Sequence, residues 1–131
     1  MEPQERPLSP HIQIYKPQLT SILSITHRIT GVFLFFGSLF LSGWLISATY
    51  GEETFSSFQE ILSSWLGQLV LFSLTLSLFY HLGNGIRHLW WDLGKGYDLK
   101  EVQASGLFVI AFALIMSVIT WITAYSFSVG P

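Results

Sequence analysis

Residues 29–49 read ITGVFLFFGSLFLSGWLISAT, an unbroken run of apolar and small residues without a charged side chain. As a helix this run would rise about 30 Å, which matches the hydrocarbon core of a bilayer. Similar runs occupy residues 64–86 and 105–127. The sequence therefore predicts an all-α integral membrane protein with three transmembrane helices, which cover about 21–50, 64–91 and 104–128.

The composition fits a chain that is surrounded by lipid. Hydrophobic residues account for 50% of the 131 residues and charged residues for only 11%, compared with roughly 25% charged residues in soluble domains. The length corresponds to a single membrane domain, residues 1–131. Residues 1–20 form an N-terminal arm in this prediction, because the prolines at positions 3, 7, 10 and 17 prevent a continuous helix.

Several classes of site are excluded by residue content. The chain has no cysteine, so it offers no disulfide, no iron–sulfur ligand and no zinc thiolate site. Any metal chemistry must therefore use histidine. The formal net charge is only -2, and the basic residues form no patch of the kind that binds nucleic acid. We expect lipid, rather than nucleic acid, to surround the chain.

Two polar segments separate the apolar runs. The first starts at residues 50–53 (YGEE) and continues with hydrophobic residues spaced by three and four, which predicts an amphipathic turn at the membrane interface: Phe55, Phe58, Ile61, Leu62 and Trp65. The second is a hairpin over residues 92–103 that contains two glycines.

The positions of the basic residues predict the orientation. All of them lie in the arm, at the start of the first helix or in the second hairpin: Arg6, Lys16, Arg28, Arg87, Lys95 and Lys100. The first loop carries only acidic charges. Because Lys and Arg are enriched on the cytoplasmic side, we expect the N-terminus and the second hairpin to lie inside and the C-terminus to lie outside.

His81 is the most informative polar residue at membrane depth. It lies roughly 15 Å inside the charged boundary at Asp92, where an imidazole needs a partner. A metal is one possible partner, and a hydrogen bond to a neighbouring helix is the other. Ser77, Gly85 and His88 share its helical face. His81 and His88 cannot both ligate one haem, because they project from the same side of one helix, so a second ligand would come from another helix or chain.

A second polar cluster begins the first helix. Ser24, His27 and Arg28 are three and four residues apart, so one helical turn brings their side chains together. Arg28 alone is explained by snorkelling to lipid headgroups, with Ser24 as a cap. The combination of donors also suits carbonyl or carboxylate oxygens, such as a quinone headgroup or a haem propionate.

Three sequence blocks resemble a known family. They are Arg6-Pro-Leu-Ser-Pro-His-Ile-Gln-Ile-Tyr15, Ser24-Ile-Thr-His-Arg-Ile-Thr-Gly31 and His81-Leu-Gly-Asn-Gly-Ile-Arg-His-Leu-Trp-Trp-Asp92. Their order and separation are similar to those of the cytochrome b membrane-anchor family of succinate dehydrogenase, in respiratory complex II. The likeness covers nearly the whole chain, including its three-helix topology.

The resemblance implies a role for each polar residue. His81 corresponds to an axial ligand of haem b, and a partner membrane subunit supplies the second axial histidine. Ser24 and Arg28 correspond to residues of the ubiquinone site. His27, Arg28 and His88 correspond to residues in the vicinity of the haem propionates.

The same resemblance implies the wider assembly. The expected partners are a second membrane anchor subunit, an iron–sulfur subunit and a flavoprotein subunit, and the FAD and iron–sulfur clusters belong to those partners. The expected activity is transfer of electrons from succinate oxidation to ubiquinone, with the succinate site on another chain. The alternatives are a cytochrome b anchor of another dehydrogenase, such as fumarate reductase, and a haem-free membrane scaffold.

The expected location is a bacterial inner membrane with a cytoplasmic N-terminus. The block from Arg6 to Tyr15 resembles the alphaproteobacterial and mitochondrial branch of the family. Because Met1 directly precedes this block without an Arg-rich presequence, the bacterial location is favoured. The alternative is a mitochondrial inner membrane with the N-terminus in the matrix.

Overall fold

The computed structural model describes residues 16–128, and the Arg6–Tyr15 block lies outside these described residues. The described part contains four α-helices and no strand. Three of the helices are long and apolar enough to cross a membrane, so the predicted all-α, three-span fold is confirmed. The helices are α1 (Leu19–Ser47), which ends in a 3-10 turn (Ala48–Tyr50), α2 (Glu52–Ser63), α3 (Trp65–Asp92) and α4 (Leu99–Ser128).

The amphipathic turn that was predicted after the first span is a complete helix, α2. Gly51 adopts a φ of 105°, which breaks the chain direction after the 3-10 turn. Glu52 and Glu53 lie in the first turn of α2, where negative charge complements the helix dipole. Ser64 separates α2 from α3, and its side chain accepts a hydrogen bond from the backbone N–H of Gly67.

Helix α2 folds back onto the end of α1. The Phe58 ring lies 5.2 Å from the Phe40 ring, and the Phe55 ring lies 5.8 Å from that of Trp44. The Trp44 indole N–H also donates to the Gln59 side chain at 3.1 Å. The spacing of three and four residues therefore gives the apolar face of a helix that packs against a transmembrane span.

The hairpin between α3 and α4 is shorter than the predicted polar segment, because α4 already begins at Leu99. Gly94 and Gly96 take φ values of 74° and 78°, which let the chain reverse direction. The Trp91 indole N–H donates to the carbonyl of Gly96 at 3.0 Å. The first turn of α4 contains charged residues, so the apolar run that defines the predicted span starts after them. The helix itself begins before the apolar run.

Helix α3 lies between α1 and α4 and supplies most of the interhelical contacts. The buried apolar residues are Leu23 of α1, Tyr80 of α3, and Val109 and Ala113 of α4. The Tyr80 hydroxyl donates to the carbonyl of Leu23 at 2.8 Å. This hydrogen bond satisfies a buried hydroxyl and ties α3 to α1.

Arg87 is a buried cation at the α3–α4 contact, with only 6% of its surface exposed. Its guanidinium donates to the Ser105 hydroxyl at 2.9 Å and to the carbonyl of Val102 at 2.9 Å. The guanidinium carbon also lies 4.0 Å from the centre of the Trp91 ring. These contacts replace water around the charge, as burial of a cation requires.

Replacing Arg87 with lysine should therefore destabilise the helix bundle. The planar guanidinium of Arg87 contacts the hydroxyl, the carbonyl and the indole face at the same time. The compact ammonium group of a lysine keeps the charge but cannot make all three contacts. We expect a loss of about 1.5 to 3 kcal/mol for the charge-assisted hydrogen bonds, measured as a lower midpoint of thermal unfolding in detergent. Lys100→Met at the exposed start of α4 is the control, and an equal effect of both changes would contradict the assigned role of Arg87.

The orientation predicted from the basic residues can be tested by cysteine labelling. Ser57 of α2 and Leu99 of α4 are both exposed and lie at opposite ends of α3. Ser57→Cys should react with an impermeant thiol reagent added to intact cells or spheroplasts. Leu99→Cys should react only after permeabilisation. The opposite labelling pattern would invert the predicted topology.

Candidate functional site

A cavity of about 650 Å³ lies between α1 and α3 near the end of α3 that leads into the hairpin. It brings together the residues for which the sequence suggested a ligand: Ser24, His27 and Arg28 from α1, and His81 and His88 from α3. Ser77, which was placed on the same helical face as His81, does not line it. Its other lining residues are Leu82, Gly85, Ile86 and Leu89. The two polar clusters of the sequence therefore form one site.

Helical periodicity explains how these side chains meet. Ser24, His27 and Arg28 occupy one face of α1, and His81 and His88 occupy one face of α3. The contacts of Thr30 with His81 and of Leu23 with Tyr80 bring these faces together. Helix α4 contributes no residue to the lining. The cavity is therefore a groove between α1 and α3.

His81 is held by one edge of its ring. Its Nδ1 atom lies 3.2 Å from the carbonyl oxygen of His27 and 3.2 Å from the Thr30 hydroxyl. A carbonyl can only accept a hydrogen bond, so Nδ1 carries a proton and donates. In the neutral ring the lone pair is then on Nε2, which makes no hydrogen bond within the described residues. Histidines that bind metals commonly share this feature, a hydrogen bond from one ring nitrogen that leaves the lone pair of the other nitrogen available.

His27 is stacked on His81, with ring centres 3.9 Å apart and planes at 10°. The His88 ring centre lies 5.2 Å from that of His27. The Nδ1 atom of His27 is buried and has no hydrogen-bond partner among the described residues. An unpaired buried polar atom costs about 1 to 3 kcal/mol. The packing of His27 between His81 and His88 therefore leaves this polar atom unsatisfied among the described residues.

His88 is oriented by a residue that the sequence analysis missed, Asn84, which has no exposed surface. The Arg87 guanidinium lies 3.4 Å from the Asn84 side-chain oxygen. A guanidinium only donates, so the amide NH₂ of Asn84 faces the other way. That group lies 3.5 Å from the carbonyl of Leu23 and 3.5 Å from Nε2 of His88. An amide at membrane depth was the sequence signal that could have identified Asn84.

Ser24 and Arg28 both have side-chain donors without a hydrogen-bond partner in the part of the chain that the structure describes. The Ser24 side chain makes no hydrogen bond within the described residues, whereas Thr26 and Thr30 bond to the backbone of α1 at 2.8 and 2.9 Å. Arg28 is exposed and forms no hydrogen bond or ion pair with any described residue. These donors are available to an oxygen-rich ligand in the cavity.

Gly31 has no side chain, which allows the His81 ring to pack closely against α1. A Cβ atom at Gly31 would lie 3.1 Å from Cε1 of the His81 ring, so a larger residue at this position would require the ring to shift by a few tenths of an ångström. Thr30 and Gly31 are residues of the site that the sequence pattern did not predict. Their role depends on which face of α1 meets α3, and periodicity within one helix does not show this.

Comparison with known families identifies the family of the chain. Residues 2–120 match the model of the succinate dehydrogenase/fumarate reductase transmembrane subunit family. The chain belongs to this family. The family resemblance that the three sequence blocks indicated is thereby confirmed.

Individual relatives cover nearly the whole chain. The succinate dehydrogenase cytochrome b556 subunit of Rickettsia prowazekii is 41% identical over 118 residues, which are 90% of this chain and 92% of the relative. The subunit of the same name from Paracoccus denitrificans is 37% identical over 122 residues, or 93% and 94% of the two chains. The cytochrome b560 subunit of Marchantia polymorpha is 45% identical over 123 residues, or 87% and 89%.

Proposed function

We propose that the chain is the haem b and ubiquinone-binding membrane anchor of succinate:quinone oxidoreductase. In this role it passes electrons from succinate oxidation to the quinone pool. The observation that carries the proposal is the single cavity in which His81, with an uncommitted Nε2 atom, lies beside the free donors of Ser24 and Arg28. The names of the relatives support the same assignment.

The residues of the cavity fit haem b. His81 would bind the iron through Nε2, because Nδ1 is already engaged. The described residues contain no group of three or more His, Cys, Asp or Glu side chains that could hold a bare metal ion, whereas a porphyrin brings four nitrogen ligands of its own. His27 and His88, with the uncommitted Arg28, would hold the propionates. When bound, haem b supplies a one-electron carrier in the membrane.

One chain supplies only one of the two axial ligands. His81 and His88 lie on one face of α3 and approach from the same side. A second ligand would therefore come from another helix or another chain, and the resemblance to the cytochrome b anchor family implies a histidine of a second membrane anchor subunit. An iron–sulfur subunit and a flavoprotein subunit, which carry the iron–sulfur clusters and FAD, would complete the enzyme and deliver the electrons of succinate oxidation.

Ubiquinone is the proposed substrate at Ser24 and Arg28. The Ser24 hydroxyl would donate to one quinone carbonyl, and Arg28 would stabilise the negative charge that develops on the quinone oxygens during reduction. The family description covers both succinate dehydrogenase and fumarate reductase. The relatives named above are succinate dehydrogenase subunits, which favours succinate oxidation. The proposed location is a bacterial inner membrane, and the positions of the Lys and Arg residues favour a cytoplasmic N-terminus.

Replacing His81 and replacing His88 should affect the haem differently. His81→Gln keeps much of the side-chain volume but removes the imidazole ligand, so the low-spin spectrum of the purified complex should change or disappear. His88→Gln should leave the axial ligation intact and preserve that spectrum. The measurement is a reduced-minus-oxidised absorption spectrum. A normal spectrum in His81→Gln, together with its loss in His88→Gln, would show that the ligand was assigned to the wrong histidine.

Ser24→Ala and Arg28→Leu should reduce ubiquinone reduction. Each change removes a hydrogen bond to an oxygen that gains charge, which is worth about 1.5 to 3 kcal/mol, or roughly tenfold to more than a hundredfold in rate. Arg28→Leu should be the more damaging change because it also removes a charge. The assay compares succinate oxidation with ubiquinone and with an artificial acceptor that takes electrons before the membrane.

The matched control is Ser38→Ala, also on α1, where the hydroxyl donates to the carbonyl of Phe35 instead of facing the cavity. It should keep full ubiquinone reduction. Each variant is first checked for subunit content and haem, because Arg28 is also proposed to contact a propionate. Normal ubiquinone reduction in assembled, haem-replete Ser24→Ala and Arg28→Leu complexes would refute the assignment of the quinone site.

A further inference from the structure

We infer that the Thr30 hydroxyl is a positioning group that fixes the proton of His81 on Nδ1 and sets the angle at which its Nε2 atom faces the cavity. The inference rests on the proposed function, because it takes His81 to be an axial ligand. Thr30 does not line the cavity and would not touch the iron. Its effect is exerted through the imidazole ring.

Three polar atoms form a closed arrangement behind the ring. The Thr30 hydroxyl donates to the carbonyl of His27 at 2.9 Å. Because its hydrogen is used there, its oxygen is available to accept from His81 Nδ1 at 3.2 Å. The same Nδ1–H also faces the carbonyl of His27 at 3.2 Å. Two acceptors therefore surround one N–H group. If the proton moved to Nε2, the carbonyl of His27 would lose this donor, and the Thr30 hydroxyl would have to turn away from the same carbonyl to donate to the bare Nδ1.

The position of Thr30 is itself well determined. Its residue surface is only 9% exposed, and a β-branched side chain in a helix has few rotamers. The bond to the carbonyl of His27 selects one of them. Gly31 follows immediately and leaves room for the His81 ring edge. Thr30 and Gly31 together form the wall of α1 against which His81 is aligned.

The hydrogen bond also affects the electronic character of the ligand. When Nδ1–H donates to a good acceptor, the imidazole becomes more basic at Nε2 and a stronger donor to a metal. A stronger donor stabilises ferric iron more than ferrous iron. Removal of the hydroxyl should therefore weaken binding of the ferric form and raise the reduction potential of the haem.

The test compares three variants of the assembled complex. Thr30→Val has nearly the same shape but no hydroxyl, and Thr30→Ser keeps the hydroxyl. The control, Thr120→Val, makes the same change on α4, where the hydroxyl donates only to the carbonyl of Met116. Outer partners of metal ligands typically contribute about tenfold or more to metal affinity. A tenfold loss of preference for the ferric form corresponds to about 59 mV for a one-electron couple.

The expected result is specific to the hydroxyl. Thr30→Val should retain low-spin haem, while its midpoint potential rises by about 59 mV and ferric haem transfers about tenfold faster to an excess of apomyoglobin. Thr30→Ser should restore both values toward the parent complex, and Thr120→Val should alter neither. An unchanged potential and an unchanged rate of haem transfer in Thr30→Val would overturn the inference.

Two further measurements separate the possible failures. If Thr30→Val does not assemble, the smaller Thr30→Ala is measured in its place, and loss of assembly in both would overturn the inference by showing a role in folding. A normal low-spin spectrum in His81→Gln would refute the assignment of His81 as the ligand. It would also refute the inference, because the inference requires His81 to bind the haem. A haem that is sensitive to His81→Gln but insensitive to Thr30→Val would refute the inference alone.

Discussion

The hydrogen bonding of His81 to the first helix is the interaction on which the site depends. An imidazole at membrane depth must find its partners within the protein, because lipid offers none. His81 finds them at the carbonyl of His27 and the hydroxyl of Thr30. This contact aligns the polar face of α3 with the polar face of α1 and leaves one ring nitrogen directed away from both partners. Because the hydrogen bonds of His81 are made at Nδ1, Nε2 on the other edge of the ring is left available to a ligand.

The same requirement organises the rest of the bundle around α3. Tyr80 and Asn84 direct polar groups to the carbonyl of Leu23 on α1, whereas Arg87 directs its guanidinium to Ser105 and Val102 on α4. Apolar packing alone would allow the helices to slide and rotate, since lipid is as apolar as their side chains. These polar contacts specify which faces meet. The fold and the site thus depend on the same small set of buried polar groups.

The parts of this architecture that the sequence predicted are those set by local pattern. Apolar runs of sufficient length identify the three spans, and the helical period places Ser24, His27 and Arg28 on one face. The extent of α2 was not evident, because it depends on the breaks at Gly51 and Ser64 rather than on hydropathy. Thr30 and Asn84 were missed because their roles arise from the rotation of one helix relative to another, which no period within a single helix determines.

The charge and hydrogen-bonding character of the cavity limits what it can bind. No acidic side chain among residues 16–128 lines it, although the formal net charge of the chain is -2 and three glutamates lie in α2. The free groups are the donors of Ser24 and Arg28 and the unpaired Nδ1 of His27. Such a set favours ligands rich in oxygen acceptors, as both a quinone and a carboxylate-bearing haem are. These donors have no partner among the described residues, so a ligand rich in oxygen acceptors would supply the hydrogen bonds that the contacts between α1 and α3 leave unmade.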